Sequence, residues 1–214
     1  MPPTIALARP VPHRIETERL VIRAYQHADA EQLATVIPRN GSHLRRYMEW
    51  MKFEPQTVAQ RREWIAGVSD AYADGTSYTM GIFTPDGALI GGTGFHVRTD
   101  PERLALGYWI DATHEGHGLV TEACAALTWV ALGSVGADVA DISHAPSNTR
   151  SAAIPARLGY LRKDRIGIEC FDDGAKVRAV EWWATRDTLA TEPLASFARP
   201  ALYDGEGTPV PWSL

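Results

Sequence analysis

One stretch, residues 106–123, restricts the fold more than any other part of the chain. Apolar positions alternate up to Ile110, which predicts a strand. Gly116 and Gly118 bracket His117, so the backbone there can adopt positive φ and no Cβ obstructs a ligand. Apolar residues at helical spacing follow: Val120, Ala123, Cys124, Leu127 and Val130. A helix that starts at a glycine loop leaves N–H groups unpaired, which makes an anion site suited to a pyrophosphate.

Two common phosphate-binding motifs do not fit this loop. The third glycine of the dinucleotide fingerprint would fall at Thr121. A P-loop needs a Lys-Ser or Lys-Thr pair, and none follows Gly118. The glycines alone are also compatible with an ordinary strand-to-helix turn, so the interpretation depends on the rest of the chain.

The composition is that of a globular protein. The 214 residues are 45% hydrophobic and 22% charged, with a net charge of −5, which allows one domain with a substantial core. The acidic balance argues against a general nucleic-acid-binding surface, and no apolar run is long enough to span a membrane. The first ten residues are too short and too interrupted by proline for a signal peptide, so we expect a cytoplasmic protein. Cys124 and Cys170 form no C-x-x-C pair, and we expect no metal.

The order of segments predicts the α/β class, with one mixed (α+β) sheet and helices on both faces. Strands are predicted at 18–25, 77–84, 88–96, 104–110, 137–144, 160–171 and 175–186. Helices are predicted from Asp29, around residues 44–51, from Thr57, after Gly118 and from Asn148. Tight turns are predicted at 85–87, 100–101 and 172–174, with a bulge at 91–92. Residues 1–14 are interpreted as an arm, 15–186 as the domain and 187–214 as an irregular extension.

Three stretches together resemble the GNAT acetyltransferases, and within them the RimJ/RimL-type amino-group acetyltransferases. The first is Ile15-Glu-Thr-Glu-Arg-Leu-Val-Ile-Arg23, and the second runs from Gly107-Tyr-Trp-Ile-Asp111 to Glu115-Gly-His-Gly-Leu-Val-Thr-Glu-Ala123. The third is Asn148-Thr-Arg-Ser151, closing in Arg157-Leu-Gly-Tyr160. The resemblance covers residues 15–186 and implies the GNAT fold, with a mostly antiparallel central sheet. One departure is Thr113, where the superfamily often has Arg or Gln before the glycines.

The resemblance implies acetyl-CoA as the co-substrate. The backbone N–H groups of Gly116, His117, Gly118, Leu119 and Val120 would face its pyrophosphate. The strand edge at Trp109 and Ile110 would pair with the pantetheine amides, and the N–H near Ile110 would polarise the thioester carbonyl. Asn148 and Ser151 would also contact the cofactor.

Acetyl transfer needs a donor for the leaving thiolate and a base for the amine. A thiol of pKa about 8.5 leaves almost unaided; the resemblance makes Ser151 the donor, with Tyr160 as the alternative. The resemblance also makes Glu169 the base, and His144 competes with it. An α-amine is about a tenth neutral at pH 7, whereas a lysine amine is neutral in about one part in a few thousand, a difference of roughly 3 kcal/mol. A site with one modest base therefore suits α-amines.

The acceptor pocket is expected at the second helix and its loop, where Tyr47 and Trp50 would form an aromatic wall. His144 is a further expected substrate-binding residue. The leading hypothesis is an N-acetyltransferase for a protein N-terminal α-amine, as in ribosomal-protein modification. The same reaction on a small amine, such as an antibiotic, a polyamine or an aminoacyl-nucleotide, is the alternative enzyme. A non-catalytic acyl-CoA-binding module is the alternative of another class. A homodimer is possible, and neither nucleic acid nor membrane is expected as a partner.

Overall fold

The computed structural model describes residues 7–99, 102–163 and 168–212, and these contain five α-helices and eleven strands. The helices are α1 Ala30–Arg39, α2 Gly41–Leu44, α3 Val58–Ala73, α4 Leu119–Trp129 and α5 Thr149–Arg157. The first six strands are β1 Arg14–Glu16, β2 Val21–Ala24, β3 Ser77–Phe83, β4 Leu89–Thr99, β5 Glu102–Ile110 and β6 Ala140–His144. The others are β7 Leu161–Lys163, β8 Glu169–Asp172, β9 Ala175–Arg178, β10 Val180–Ala184 and β11 Ala201–Tyr203.

Nine of these strands form one twisted sheet in the order β11-β1-β2-β3-β4-β5-β6-β10-β7. Strands β5 and β6 are parallel, and the other described neighbours are antiparallel. The remaining two strands, β8 and β9, form a separate hairpin. The prediction of a mixed, mostly antiparallel sheet is therefore confirmed.

Apolar side chains on both faces of the sheet are covered, because successive strand residues point to opposite sides. The larger core packs α4 and α5 against residues such as Ile22, Met80 and Leu106. The smaller core packs α1 and α3 against Val21 and Phe83 of the opposite face. Helices on both faces were predicted from the segment order, and the structure confirms them.

Local sequence signals set the ends of helices α3 and α5. Thr57 caps α3 in a capping box with Gln60, as its position before the apolar run predicts. Asn148 caps α5 by accepting a hydrogen bond from the Ser151 N–H. Gly159 follows α5 at φ 75°, a conformation that glycine adopts without strain.

The first and last of the described strands pair at one edge of the sheet, so the prediction of an irregular C-terminal extension is wrong for residues 201–203. Strand β11 pairs antiparallel with β1, with Ile15 opposite Leu202. Both side chains are buried, and this burial stabilises a strand of only three residues. The proline and glycine residues on either side of β11 made a strand hard to predict there from the sequence.

Three other local predictions needed correction. The predicted final pair of long strands is divided, because β7 and β10 belong to the main sheet whereas the partly exposed β8 and β9 do not. The helix predicted around residues 44–51 is α2 followed by a short 3₁₀ turn at Glu49–Phe53. The predicted bulge lies one residue earlier, at Ile90, since Gly91 pairs with Ile82 and Leu89 with Phe83. The turn predicted at 100–101 lies outside the described residues.

Candidate active site

A cavity opens where β5 and β6 separate. The two strands pair from Leu104 to Leu106 on β5, but β5 continues to Ile110 and β6 to His144. Beyond the paired segment the strands diverge and expose backbone edges. The cavity there has a volume of about 1070 Å³, slightly above the upper end of about 1,000 Å³ for typical ligand pockets. A long ligand can therefore lie between β5, the glycine loop and α5.

The glycine loop forms one wall of this cavity. Gly116 and Gly118 have φ of 78° and 77°, which a residue with a Cβ adopts only with strain. Gly118 is the N-cap of α4, so the first N–H groups of that helix have no carbonyl partner within it. The cavity is lined by Gly116, Gly118, Leu119 and Val120, and this wall therefore offers positive potential to an anion.

Asp111 braces the start of the loop from inside the protein. Its buried carboxylate accepts hydrogen bonds from the Thr113 N–H at 3.1 Å and the Thr113 hydroxyl at 3.0 Å, and it forms an ion pair with Arg39. Burial would raise the pKa of Asp111, but the hydrogen bonds from Arg39 and Thr113 outweigh it and lower the pKa. The Ala112 N–H donates to Asn40 Oδ1 at 2.9 Å, so α1 and its C-terminus fix the loop.

Ser151 projects into the cavity from the first turn of α5. Its Oγ lies 2.8 Å from the Tyr108 hydroxyl on β5, and its N–H donates to Asn148 Oδ1 at 3.1 Å. Burial raises the pKa of Tyr108 well above its ordinary value, so this phenol keeps its proton. The pair Tyr108–Ser151 therefore presents hydroxyl donors where the strands diverge. Tyr108 was not among the predicted site residues, although its position in the predicted strand, one residue before Trp109, was a usable signal.

A cluster of charges crosses the rim of the cavity. Glu115, in the glycine loop, pairs with His43 of α2 at 3.1 Å and with Arg150 of α5. All three line the cavity. Glu115 thus joins three separate elements around the opening.

The other end of the cavity is bounded by the loop after α2 and by the β8–β9 hairpin. Tyr47 lines the cavity, and its hydroxyl donates to the Ser147 carbonyl at 3.3 Å. The Ser147 hydroxyl donates to Asp172 Oδ2 at 2.6 Å, and Arg46 Nε donates to Asp172 Oδ1 at 3.3 Å. The Asp173 N–H donates to the Arg46 carbonyl at 2.8 Å. The tip of the hairpin is therefore attached to this end.

The structure brings most of the predicted cofactor-binding residues together around the cavity. Those that line it are Trp109, Ile110, Gly116, Gly118, Leu119, Val120, Asn148 and Ser151. The exposed His117 lies outside the lining, and its carbonyl accepts a hydrogen bond from Arg19 at 3.0 Å.

Two residues predicted for the acceptor pocket lie elsewhere. Trp50 packs against Trp109, with ring centroids 6.4 Å apart. It lies outside the cavity lining because its side chain packs against the smaller core. His144 is buried; its Nδ1 donates to the Ala145 carbonyl at 2.8 Å and its Nε2 accepts from Trp182 at 3.0 Å. Burial lowers the pKa of His144. Because both ring nitrogens are engaged in a neutral tautomer, the structure does not support His144 as a base.

The two remaining catalytic candidates also lie outside the lining. Glu169 is exposed at the start of β8, opposite Arg178. Tyr160 is buried beneath the sheet, where its hydroxyl is 2.6 Å from that of Thr128. Burial raises the pKa of Tyr160 beyond its ordinary range, which disfavours it as an acid. The role of Glu169 remains a prediction.

Among the described residues, no group of three or more His, Cys, Asp or Glu side chains could hold a metal ion. None of the helices in the described ranges combines the length and apolar character needed to cross a bilayer.

Comparisons with known proteins agree with this geometry. Residues 19–161 match the family described as the acetyltransferase (GNAT) domain. YdaF of Bacillus subtilis (strain 168), provisionally named a ribosomal N-acetyltransferase, is 30% identical over 149 residues, covering 69% of this chain and 81% of YdaF. The [ribosomal protein uS5]-alanine N-acetyltransferase of Escherichia coli (strain K12) is 28% identical over 156 residues, covering 70% of this chain and 79% of that protein.

A solved structure shows the same fold. It is RimL, the ribosomal L7/L12 alpha-N-protein acetyltransferase, in complex with coenzyme A, and it superposes with a TM-score of 0.72 at 16% identity over 84% of this chain and 99% of RimL. The family match, the relatives and the fold agree with the motifs and the cavity. The chain belongs to the GNAT acetyltransferases and is an N-acetyltransferase of the RimJ/RimL type.

Proposed function

We propose that this chain transfers the acetyl group of acetyl-CoA to the α-amine of a protein N-terminus, with ribosomal proteins as the leading acceptor class. The observation that carries the proposal is the arrangement of one cavity, with an anion-binding glycine loop along one wall and the Ser151–Tyr108 pair at the divergence of β5 and β6. The curated relatives named for ribosomal-protein acetylation favour this acceptor class.

The residues around the cavity suit the two ends of acetyl-CoA. The pyrophosphate would lie against the N–H groups at Gly116, Gly118 and Leu119, and the pantetheine would follow the edge of β5 past Trp109. The thioester would then lie between Ile110 and Ser151. Thr113 stands where the superfamily often has arginine or glutamine. No other side chain needs to replace that residue, because backbone N–H groups would make the phosphate contacts.

In the transfer step the amine nitrogen attacks the thioester carbonyl, the C–S bond breaks and the amine proton leaves to a base. Ser151 Oγ donates a hydrogen bond to the departing sulfur while Tyr108 supports the serine. A hydroxyl is a weaker acid than the thiol, whose pKa is about 8.5, so Ser151 stabilises the thiolate without protonating it. Such a hydrogen bond to a charged group contributes about 1.5–3 kcal/mol.

The arrangement of bases favours an α-amine. The cavity-lining carboxylate among the described residues is Glu115, and it is paired with His43 and Arg150. Glu169, an exposed residue at the start of β8, stays the proposed base. Deprotonation at pH 7 costs an α-amine roughly 3 kcal/mol less free energy than it costs a lysine amine. A site with few available bases therefore suits the α-amine.

The first experiment measures acetyl-CoA-dependent release of free thiol against a panel of acceptors. The panel contains peptides that begin with Ser, Ala or Met, the same peptides with blocked N-termini and an internal lysine, polyamines, aminoglycosides and an aminoacyl-nucleotide analogue. We expect release with the free N-terminal peptides alone. Release with one small amine alone would replace the proposal with a small-molecule acetyltransferase. Glu169→Gln is compared with Glu102→Gln, a matched exposed strand glutamate outside the cavity lining.

A further inference from the structure

The glycine loop is held from behind by an arginine that does not line the cavity. Arg19 lies in the turn between β1 and β2. Its Nη1 donates to the His117 carbonyl at 3.0 Å, and its Nε donates to Glu122 Oε2 at 2.6 Å. Arg19 Nη2 lies 2.6 Å from the same carboxylate oxygen. Arg19 therefore connects the loop to the first turn of α4.

Glu122 is itself enclosed by this turn. The Thr17 hydroxyl donates to Glu122 Oε1 at 2.6 Å, and the Arg19 backbone N–H donates to the same atom at 3.1 Å. The Glu122 side chain is 13% exposed. A carboxylate that accepts hydrogen bonds from three donors in this setting is well ordered. Glu122 therefore holds the Arg19 side chain in a fixed position.

The geometry of a peptide unit converts the carbonyl contact into an orientation. A trans peptide is planar, and its C=O and the following N–H point in opposite directions. The His117 carbonyl points to Arg19, so the Gly118 N–H points away from Arg19. Gly118 lines the cavity whereas Arg19 does not. Arg19 thus holds the loop in the conformation that turns this N–H to the cavity.

The same arginine also compensates a charge. Glu122 lies in the first turn of α4, close to where the proposed pyrophosphate would bind, and an unpaired carboxylate there would repel it. Arg19 neutralises this carboxylate. Both effects act on the pyrophosphate end of the ligand and leave the thioester end unchanged.

We propose that Arg19 is a positioning residue for the pyrophosphate of acetyl-CoA, acting through the His117–Gly118 peptide and through Glu122. The proposal rests on the proposed function, since it assumes that the glycine loop holds the pyrophosphate. It adds a role for the turn between β1 and β2, which lies outside the cavity.

The test measures dissociation constants by calorimetry and needs no acceptor. The ligands are CoA, dephospho-CoA, which keeps the pyrophosphate, and pantetheine, which lacks it. We expect Arg19→Met to weaken CoA and dephospho-CoA by about tenfold each, because hydrogen bonds to charged groups are lost. Pantetheine should bind within about twofold of its wild-type affinity, since its contacts do not involve the loop. Arg14→Met, which removes a neighbouring exposed arginine paired with Glu16, is the matched control and should change none of the three.

Two further variants separate the two effects. Arg19→Lys keeps the charge but not the fork of donors, so it should recover only part of the affinity for CoA. Arg19→Met combined with Glu122→Gln removes the repelling charge and should bind CoA more tightly than Arg19→Met alone. If the double variant is no tighter, the charge compensation is wrong.

The remaining outcomes distinguish failure of this proposal from failure of the site. Equal weakening of all three ligands would show a general structural role for Arg19 and overturn the proposal. Unchanged affinity for CoA would overturn it as well. If wild-type protein binds pantetheine as tightly as CoA, the loop does not hold a pyrophosphate, and the proposed cofactor site fails together with this inference.

Discussion

The two ends of the cavity are built in different ways. The glycine-loop end is made of backbone, and buried or half-buried side chains brace it: Asp111 with Arg39 on one side, Glu122 with Arg19 on the other. The opposite end is made of side chains, and the β8–β9 hairpin that closes it is attached through Asp172 and lies outside the main sheet. A ligand at the first end meets a preformed backbone surface. A ligand at the second end meets side chains, next to a hairpin that is not part of the main sheet.

This difference matches the chemistry of two substrates. Backbone N–H groups recognise phosphate without regard to neighbouring side chains. A rigid backbone loop therefore suits a co-substrate whose phosphate groups are the same in every reaction. The proposed acceptor would instead meet side chains of the loop around Tyr47, to which the hairpin is attached through Asp172. Four substitutions test the contrast, beginning with the largest expected effect.

Replacing Asp111 with alanine should be the most damaging change. It removes a buried carboxylate and leaves Arg39 and the Thr113 N–H without their acceptor. We expect a loss of about 2–4 kcal/mol in the free energy of unfolding, measured by chemical denaturation, together with weaker CoA binding. The control is Asp86→Ala, at an exposed hairpin turn, which should change CoA binding by less than about twofold.

The effect of Asp111 has a defined pH dependence. Its pKa is lowered in the folded protein, so its contribution to stability is present above the unfolded value of about 3.9 and is lost as the pH falls through the folded value. The difference in stability between wild type and Asp111→Asn should therefore shrink in acid. A difference that grows in acid would contradict the bracing role.

Ser151→Ala should slow the reaction without loosening the cofactor. Loss of a hydrogen bond to the departing thiolate should lower kcat by about tenfold to a hundredfold, while the dissociation constant of CoA changes by less than about threefold. Ser147→Ala is the matched control, because Ser147 also lines the cavity but bonds to Asp172. Equal losses of kcat in both variants would count against a specific role for Ser151.

Gly116→Ala should weaken CoA binding by about fivefold, since φ of 78° costs a residue with a Cβ about 1 kcal/mol. No atom lies within 4 Å of the added Cβ, so the effect would come from the backbone alone. Gly67→Ala is the control: it has the same free space within helix α3 and should raise stability by about 0.5–1 kcal/mol. Unchanged CoA affinity in Gly116→Ala would show that the loop conformation is not needed.

Asp172→Asn should have the smallest effect, and on the acceptor only. It weakens the contacts to Ser147 and Arg46 that attach the hairpin, and partly exposed contacts of this kind contribute about 0.5–1 kcal/mol. The KM for the acceptor peptide should rise by about two- to fivefold, and the KM for acetyl-CoA should not change. A rise in the KM for acetyl-CoA would mean that the two ends of the cavity are not independent.

Sequence patterns predicted the local structure around the glycine loop well, for a physical reason. The strand, the glycine loop and helix α4 depend on alternation, on positive φ and on helical spacing, all of which are local in sequence. Ser151 and its cap Asn148 are local as well. The fold class followed from the order of such segments.

The proposed acceptor end of the cavity depends on contacts between residues distant in sequence. Whether Trp50 faces the cavity or packs on Trp109 cannot be read from helical spacing, because both positions suit an aromatic side chain. His144 ends a central strand whether it acts as a base or is a buried residue with hydrogen-bond partners. Only the position of Trp182 shows that its second ring nitrogen already accepts a hydrogen bond. Arg19 and Glu122 are 103 residues apart, and no periodicity connects them.

The pairing of β1 with β11 joins two strands that are made far apart in time. Strand β1 is the first of the described strands to be made, and its partner β11 follows almost 190 residues later, with Arg14 opposite Tyr203. At about 5–20 residues per second, β1 waits on the order of ten seconds or more for the strand that covers its open edge. The turn that carries Thr17 and Arg19 follows this same strand, so the residues that contact Glu122 adjoin the strand whose partner is made last among the described strands. The pairing of β1 with β11 therefore cannot form until residues 201–203 have been made, long after the glycine loop at residues 116–118.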